Sequence, residues 1–492
     1  MELHWHSYRY YPYERDLAER EVEALLKGAT ITHVNGKVML SGRYKAAQVR
    51  RLVYFSGAVS KDEEICTVQR ELERAGRNGH KRQATRYSVH GLHEYKGKFN
   101  PQVVRALLNI LEFREGDRVL DPFCGSGTTL VECAHMGIAS LGIDLNPLAV
   151  YVANAKLRAL GIPAEHLRTA LDRVLGACRR NRQLPEDESH AYLQGWFDKG
   201  ILKVIERLRA TALEEGTGVG SILLTIASNL LRDYSLQDPN DLRIRRRSSP
   251  VPTEPFLSAF EEAALSAIER LRQTQNVLGD LSPSAEVQLL DVCAFATRRG
   301  GSRTLFDGAI TSPPYATALP YIDTQRLSLV WLRLIAPKEI LELEAALIGS
   351  REIRGQKRHS LGDALDANAA GLPDKELRFC RKLQRALGPN DGFRRQAVPG
   401  LLYRYFAGMS RAFGAVGRMV RKSGPFALIV GHNHTTLGGR RFDIDTPSHL
   451  VSLAGTQGWT VEECVPLQTY HRYGYHMSNA VRAETLLVLR KV

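Results

Sequence analysis

The feature that most constrains the fold is the run DRVLDPFCGSGTTLVECAHMGIASLGIDLNPLAVYVANAKLRAL (117–160), in which strand-like and helix-like segments alternate. This alternation predicts parallel strands joined by crossover helices. Strand-like segments return at EVQLLDVCAF (286–295), LFDGAITSPPY and PFALIVG, and WTVEECVPLQTY and AETLLVLRKV follow them. We therefore predict an α/β fold built on a parallel sheet that these later segments complete.

A glycine-rich turn follows the first strand of this run. The segment Asp121-Pro-Phe-Cys-Gly-Ser-Gly-Thr128 joins a strand to a helix, so N–H groups at the helix start can face a ligand at the strand's carboxyl end. It matches neither the G-x-G-x-x-G nor the G-K-[ST] pattern. Asp144 ends the next strand, at about the 20-residue offset at which an acidic side chain meets ribose hydroxyls. These residues favour a nucleoside-bearing cofactor over a purely structural turn.

A second unusual turn is Ser312-Pro313-Pro314-Tyr315, which ends a strand-like apolar run. Two prolines fix the backbone and remove N–H donors, so the Ser312 hydroxyl and the Pro313 carbonyl are left as rigidly held acceptors. Such acceptors can hold the hydrogens of an amine, and Tyr315 offers a flat face for stacking. A structural turn is the alternative if the segment is considered alone.

The charge of the chain suits a polyanionic partner. Lys and Arg number 67 against 53 Asp and Glu, a formal net charge of +14. Two runs stand out, RIRRR (243–247) and REIRGQKRH (351–359), and either run alone is equally consistent with a solvated surface. The candidate residues for contacts with such a partner are Arg243, Arg245, Arg246, Arg247, Arg354, Lys357 and Arg358.

Taken together, the motifs resemble those of the DNA amino-methyltransferases, which methylate cytosine-N4 or adenine-N6 with S-adenosylmethionine. The resemblance rests on VLDPFCGSGTT, GIDLNP, HEYKGKFNP and TSPPY. It implies a Rossmann-like methyltransferase sheet with helical insertions and a small N-terminal α+β module, and a catalytic role for Ser312, Pro313, Pro314 and Tyr315. The cofactor residues that it implies are Phe99, Pro101, Asp121, Phe123, Gly125, Gly127, Thr128, Asp144 and Asp291.

The resemblance also divides the chain. It predicts an N-terminal module, a catalytic domain in three pieces, and two insertions as candidates for DNA recognition. The segments are 1–84 (N-terminal module), 85–162 (cofactor half), 163–280 (helical insertion), 281–337 (SPPY segment), 338–398 (charged insertion) and 399–492 (C-terminal half).

Serine before Pro-Pro-Tyr favours cytosine-N4 as the methylated atom, because in this family aspartate or asparagine there goes mostly with adenine. Adenine-N6 methylation is the first alternative, and methylation of an RNA base is the second. Duplex DNA is the expected partner. Whether a separate restriction endonuclease accompanies the chain, and what its oligomeric state is, stay open at this point.

Other chemistries fit the sequence less well. Cytosine-C5 methylation needs a cysteine that usually follows proline, and the chain contains no Pro-Cys pair. His432 and His434 in GHNHTT have no visible partner cluster, so we expect no metal. The start of the chain lacks the apolar core of a signal peptide, and no apolar stretch is long enough for a membrane helix. These features predict a cytoplasmic protein that does not enter membranes.

Overall fold

The computed structural model describes residues 1–74, 83–95, 97–180, 186–241, 243–298, 305–316, 322–352, 355–468 and 483–492, without the side chains of 298, 355–359 and 483. The strands are β1 Glu2–Trp5, β2 Ala29–Val34, β3 Lys37–Gly42, β4 Phe55–Val59, β5 Glu64–Cys66, β6 Arg118–Asp121, β7 Ala139–Asp144, β8 Ala285–Leu289, β9 Gly308–Thr311, β10 Pro425–Gly431, β11 Asn433–Leu437, β12 Arg440–Ile444, β13 Trp459–Gln468 and β14 Ala483–Lys491.

The helices that the structure describes follow in the same way. They are α1 Pro12–Leu25, α2 Ala46–Arg50, α3 Val68–Leu72, α4 Pro101–Ile110, α5 Thr128–His135, α6 Pro147–Leu160, α7 Ala164–Cys178, α8 Glu188–Gln194, α9 Lys199–Glu214, α10 Gly216–Leu230, α11 Phe256–Leu278, α12 Val292–Arg298, α13 Arg326–Trp331, α14 Ile340–Ala346, α15 Gly355–Asp366, α16 Asp374–Arg385, α17 Phe393–Gln396, α18 Val398–Met419 and α19 Thr446–Gly455. None of them is long and apolar enough to cross a bilayer.

The large sheet has the order β13-β14-β10-β9-β6-β7-β8 within the described residues. Strands β8, β7, β6, β9 and β10 are parallel to their neighbours in that row, and β14 runs antiparallel between β10 and β13. The chain passes from β6 outward to β7 and β8 and then returns to β9 on the other side of β6. Ligands of open α/β sheets bind beyond the carboxyl ends of the strands at such a reversal. The predicted Rossmann-like α/β fold is confirmed.

The N-terminal segment forms its own five-stranded sheet in the order β2-β3-β1-β4-β5. Its first hairpin turns at Asn35 and Gly36, which have φ of 50° and 77°, as the Asn-Gly pair predicts. Leu17 and Val22 of α1 share a buried core with Leu107 of α4 and Ala427 of β10. The module therefore packs directly onto the large sheet.

The helices from α7 to α11, which lie between α6 and β8 in the chain, pack as a layer beside α6. Leu171 of α7, Ile205 of α9 and Phe260 of α11 are fully buried in one core with Val152 of α6. A second group, α15 and α16, packs against α18 through a core that includes Cys380 and Phe406. Both predicted insertions are thus helical and flank the sheet.

One predicted strand is wrong in its second half. The segment EVQLLDVCAF leaves the sheet at Leu289, and helix α12 begins at Val292. The Asp291 carboxylate accepts a hydrogen bond from the Cys293 N–H at 2.6 Å, which is a helix N-cap contact. An apolar run of this length cannot be divided between strand and helix by its pattern alone.

Candidate active site

The glycine-rich turn lies between β6 and α5 and depends on two left-handed glycines. Gly125 and Gly127 have φ of 49° and 79°. A Cβ on Gly127 would lie 2.8 Å from the Cβ of Ala153 on α6. The Cys124 N–H donates to the Ile143 carbonyl at 3.0 Å. The turn is therefore fixed against β7 and α6, and larger residues at Gly127 would displace it.

Asp144 lies at the carboxyl end of β7 and holds this turn. Its Oδ2 accepts from the Gly125 N–H at 2.9 Å, and its Oδ1 accepts from the Asn146 N–H at 2.8 Å. Burial raises the pKa of its carboxyl above the usual value. Each carboxylate oxygen accepts one of these bonds and has capacity for a second hydrogen bond.

Asp121, the last residue of β6, is hydrogen-bonded to Thr311, the last residue of β9. Its Oδ1 accepts from the Thr311 hydroxyl at 2.6 Å and from the Phe123 N–H at 3.2 Å. Burial raises the pKa of the Asp121 carboxyl to about 6, although the bonds from the Thr311 hydroxyl and the Phe123 N–H oppose this shift. Because Thr311 immediately precedes Ser312, the two motifs are in direct contact.

The segment Ser312–Tyr315 extends from the carboxyl end of β9. The Tyr315 hydroxyl donates to Glu484 Oε1 at 2.8 Å, and the Asn433 side chain donates to the Ala316 carbonyl. Gly349 packs against the Tyr315 carbonyl so closely that a Cβ there would lie 2.5 Å from that oxygen. Strand β14 and the segment after α14 thus hold Tyr315 from two sides.

A cavity of about 760 Å³ lies over these strand ends, within the size range of ligand pockets. Ser312, Pro313, Pro314 and Tyr315 line it together with most of the predicted cofactor residues. Those cofactor residues are Phe99, Asp121, Phe123, Gly125, Thr128, Asp144 and Asp291. Pro101 and Gly127 are outside the lining; Pro101 is the first residue of α4, and Gly127 shapes the turn.

Sequence reasoning missed several cavity residues. Glu484, Tyr11, Tyr13, His90 and Lys98 line the cavity with the predicted residues. Lys98 and His90 lie in or beside the HEYKGKFNP segment, which was a signal that could have found them. Tyr11, Tyr13 and Glu484 reach the site through tertiary packing and carry no local motif.

A buried polar network supports the cavity wall near His90. The His90 Nε2 and the Tyr87 hydroxyl contact Glu132 Oε1 at 2.7 and 2.8 Å, and Arg105 lies 3.7 Å from Glu132 Oε2. Burial alone would raise the Glu132 pKa, but His135, His90 and Arg105 hold it well below its usual range. Burial lowers the pKa of His90 to about 3 and that of Lys98 to about 8.

The same network bears on metal binding. Among the described residues, His90, Glu132 and His135 are a group whose ligand atoms lie within 4.8 Å of one another. Arg105 and the hydrogen bonds to Glu132 already balance its charge, so the geometry favours a structural network over a cation site. His432 contacts the Thr485 hydroxyl at 3.2 Å and is not in this group.

The arginines predicted to contact DNA differ in the groups that they contact within the protein. Arg245 lies 3.1 Å from Asp241. Arg246 donates to the Gly195 carbonyl at 2.8 Å and lies over the Trp196 ring. Arg247 donates to the Ser235 carbonyl at 3.1 Å. Arg246 therefore ties this loop to the end of α8, and Arg247 ties it to the segment that follows α10, which the run of charges did not indicate.

The remaining predicted DNA-contacting residues lie elsewhere on the chain. Arg243 is exposed, with its guanidinium 3.8 Å from Asp241. Arg354 lies outside the described residues. Lys357 and Arg358 belong to α15, and their side chains also lie outside the described part of the structure.

Comparisons with known proteins place this geometry in a family. A DNA methylase family model matches residues 43–155. The chain is 42% identical over 120 residues to the Type II methyltransferase M.MjaII of Methanocaldococcus jannaschii, covering 24% of this chain and 21% of that protein. It is 24% identical over 292 residues to the Type II methyltransferase M.MvaI of Kocuria varians, covering 54% and 63%. These matches support the DNA amino-methyltransferase family (N4/N6) for this chain.

The predicted family is thereby confirmed at the level of N4/N6 methyltransferases. The chain spans less than two thirds of the length of both of these methyltransferases. A stretch of 68 residues is also 37% identical to the tRNA (guanine(10)-N2)-dimethyltransferase of Methanothermobacter thermautotrophicus, covering 14% of this chain and 20% of that enzyme. The similarity to each of these methyltransferases thus covers only part of this chain.

Proposed function

We propose that this chain transfers a methyl group from S-adenosylmethionine to the N4 amine of a cytosine taken out of duplex DNA. One observation carries the proposal. The segment Ser312–Tyr315 and the turn Asp121–Thr128 line one cavity and are joined through the hydrogen bond between Thr311 and Asp121. Family membership and this shared cavity support a single site for both cofactor and base.

The residues at the strand ends fit S-adenosylmethionine. Asp121, Asp144 and Asp291 lie at or just beyond the ends of three neighbouring strands, and all three line the cavity. Acidic side chains suit the hydroxyls, amines and positive charge of that cofactor. Asp144 is proposed to meet the ribose and Asp291 the adenine, while Phe99 borders the methionine end. When bound, S-adenosylmethionine would supply the methyl group on a sulfonium.

The SPPY segment provides what an exocyclic amine needs. The lone pair of such an amine is delocalised into the base, so acceptors must hold its hydrogens and favour a tetrahedral nitrogen. The Ser312 hydroxyl and the Pro313 carbonyl are the proposed acceptors, and Pro314 keeps the backbone rigid. The Tyr315 ring is held by Glu484 and gives the flipped base a stacking surface.

Serine at position 312 supports cytosine over adenine. A hydroxyl can accept a hydrogen bond from the amine and also donate one to a ring nitrogen, whereas a carboxylate can only accept. Adenine-N6 is the alternative within the family. RNA is a second alternative substrate, which the short similarity to a tRNA methyltransferase supports.

Three arginines from separate segments are proposed to hold the DNA backbone beside the site. Burial lowers the pKa of Arg351, and the positive charges of Arg394 and Arg243 lower it further. Arg394 and Arg243 also act on the carboxyl of Asp323, whose backbone accepts from Gln237 at 3.2 Å. The three arginines therefore lie near one another, and each keeps part of its surface exposed to solvent, although the Arg351 guanidinium is partly desolvated. Both insertions contribute to this arginine cluster.

Replacing Arg243, Arg351 and Arg394 with glutamine is expected to weaken binding to all DNA sequences. Each lost phosphate contact should reduce the slope of log K against log salt concentration by about 0.9. Titrations of a mixed-sequence duplex at several salt concentrations measure this slope. A variant with glutamine at Arg114, Arg421 and Lys422 is the control, because these exposed cations lie at the amino-terminal edge of the sheet. Equal slopes for the two variants would contradict the proposed role of the cluster.

The affinity for S-adenosylmethionine is expected to fall as the pH drops below about 6. Unliganded Asp121, with a pKa of about 6, takes up a proton in this range, whereas the positive charges of the cofactor favour its carboxylate in the complex. The Kd should rise by up to about tenfold per pH unit below the pKa and stay level above it. Asp144, whose pKa is also raised, acts in the same direction.

Calorimetry between about pH 5 and pH 8 tests this dependence. Asp121→Asn keeps an acceptor for Thr311 but removes the ionisation, so its profile should be flatter than that of the wild type. An affinity of the wild type that does not change over this range would contradict the placement of Asp121 beside the cofactor.

Transfer of labelled methyl groups tests the substrate class. Unmethylated bacterial genomic DNA and total RNA are offered separately to the purified chain with labelled S-adenosylmethionine. We expect label in DNA and none in RNA above that given by a Ser312→Ala control. Label in RNA alone would overturn the proposal. We also propose that the chain acts in DNA modification with or without a restriction endonuclease as partner, as the Type II relatives suggest.

A further inference from the structure

The N-terminal module contributes two tyrosines to the cavity of the candidate active site. Tyr11 and Tyr13 are half-buried and line the cavity that Ser312 and Tyr315 also line. Their rings are nearly parallel, with an interplanar angle of 12° and centroids 5.7 Å apart. Two stacked aromatic rings at a ligand cavity need an explanation beyond the packing of the module.

The beginning of α1 is held firmly in this position. Pro12 is the first residue of α1, and the Tyr11 N–H donates to Glu14 Oε2 at 2.7 Å. Further along α1, Arg20 forms an ion pair with Glu463 of β13. The two rings are therefore presented by a helix start that is tied to the large sheet.

The helix that carries the tyrosines is tied to β13, which lies at the opposite end of the large sheet from β8. Tyr13 packs against the core that contains Ile429 of β10 and Leu467 of β13, and both of those residues line the cavity. Leu467 of β13 pairs with Glu484 of β14, and the Glu484 carboxylate accepts a hydrogen bond from the Tyr315 hydroxyl. In the strand order, β10, β14 and β13 lie on one side of β9, and β6, β7 and β8 lie on the other.

We infer that Tyr11 and Tyr13 form an aromatic wall that binds the nucleobase during methyl transfer. This inference rests on the proposed function, because it assigns the partner of these rings from the location of the SPPY segment. The three aspartates proposed for the cofactor follow β6, β7 and β8, so the β10 side is left for the base. Every nucleobase is flat and gains stacking energy when it lies against the face of an aromatic ring. The N-terminal module thus completes the base-binding part of the site.

Leucine and phenylalanine substitutions separate ring stacking from simple packing. Leucine is apolar but not flat, whereas phenylalanine keeps the ring and loses only the hydroxyl. Methyl transfer to unmethylated bacterial genomic DNA is measured for Tyr11→Leu, Tyr13→Leu and the matching phenylalanine variants. We expect each leucine variant to lower kcat/KM for DNA by about five- to 150-fold, the range for loss of one base–aromatic stack. The phenylalanine variants should stay within about threefold of the wild type by the same reasoning.

Two controls keep the result specific. Tyr44→Leu changes a half-buried tyrosine that packs on the same core but does not line the cavity, so it should leave kcat/KM for DNA unchanged. The Kd for S-adenosylmethionine should stay within about twofold in all variants, because the acidic half of the site is untouched. Thermal unfolding checks each fold; if Tyr13→Leu unfolds, Tyr11→Leu at the helix cap carries the test.

The outcomes distinguish this inference from the function on which it rests. Leucine variants that match the wild type, or that weaken cofactor binding in parallel, would overturn the aromatic wall while the proposed function stands. A wild-type chain that transfers no methyl group to DNA would overturn the proposed function and the inference with it.

Discussion

Ser312→Ala is expected to lower kcat by about 30- to 1,000-fold while leaving the Kd for S-adenosylmethionine unchanged. The loss of one oriented hydrogen-bonding group at a reacting centre costs about 2 to 4 kcal/mol of transition-state stabilisation. Alanine should not disturb the backbone here, because β9 is buried between β6 and β10 and Thr311 keeps its bond to Asp121. The effect should therefore fall on the chemical step.

Single-turnover methylation of DNA and calorimetry of cofactor binding measure the two quantities separately. Ser312→Thr keeps the hydroxyl and serves as the matched variant, with an expected loss smaller than that of alanine. A kcat for Ser312→Ala within about threefold of the wild type would remove the hydroxyl from the proposed mechanism.

Asp144→Ala is expected to weaken S-adenosylmethionine binding by about ten- to 150-fold. Hydrogen bonds to a charged group contribute about 1.5 to 3 kcal/mol each, and the proposed ribose contact is lost with the carboxylate. The substitution should also affect the fold, because the Asp144 carboxylate holds two backbone N–H groups. The Gly125 and Asn146 N–H groups lose their acceptor, so stability should also fall, by about 1 to 3 kcal/mol for each group that stays buried and unpaired.

Asp117→Ala is a control for this substitution on the same sheet. The Asp117 carboxylate accepts from the Arg114 N–H at 2.9 Å, so it too caps a backbone group, but it precedes β6 at the edge away from the cavity. We expect Asp117→Ala to reduce stability without changing cofactor affinity. Equal cofactor affinity for Asp144→Ala and the wild type by calorimetry would exclude Asp144 from the site.

The meeting of the two motifs could be predicted from the sequence because of a general property of parallel sheets. The turn at Gly125 and the segment at Ser312 each follow a strand, and carboxyl ends of parallel strands meet at one edge. The bond between Asp121 and Thr311 is the physical result. Helix α12 was less predictable, since the apolar run that contains Cys293 fits either a strand or a helix until the cap at Asp291 is seen.

Contacts between distant segments could not be predicted in this way. Glu484 reaches Tyr315 across a separation of 169 residues, and no motif surrounds it. Tyr11 approaches the cavity because α1 packs on the large sheet, which depends on tertiary burial. The role of Arg247 was equally hidden, because a run of charges does not reveal that a backbone carbonyl of the same loop binds one of them.

The central claim is that Ser312 and its neighbours direct a methyl group to the N4 atom of cytosine in DNA. The most direct measurement is mass spectrometry of nucleosides from duplex DNA that was methylated by the purified chain and then digested. The account predicts N4-methyldeoxycytidine, which should form about 30- to 1,000-fold more slowly with Ser312→Ala under the same single-turnover conditions. N6-methyldeoxyadenosine as the product would contradict the cytosine assignment, and no methylated deoxynucleoside at all would contradict the claim as a whole.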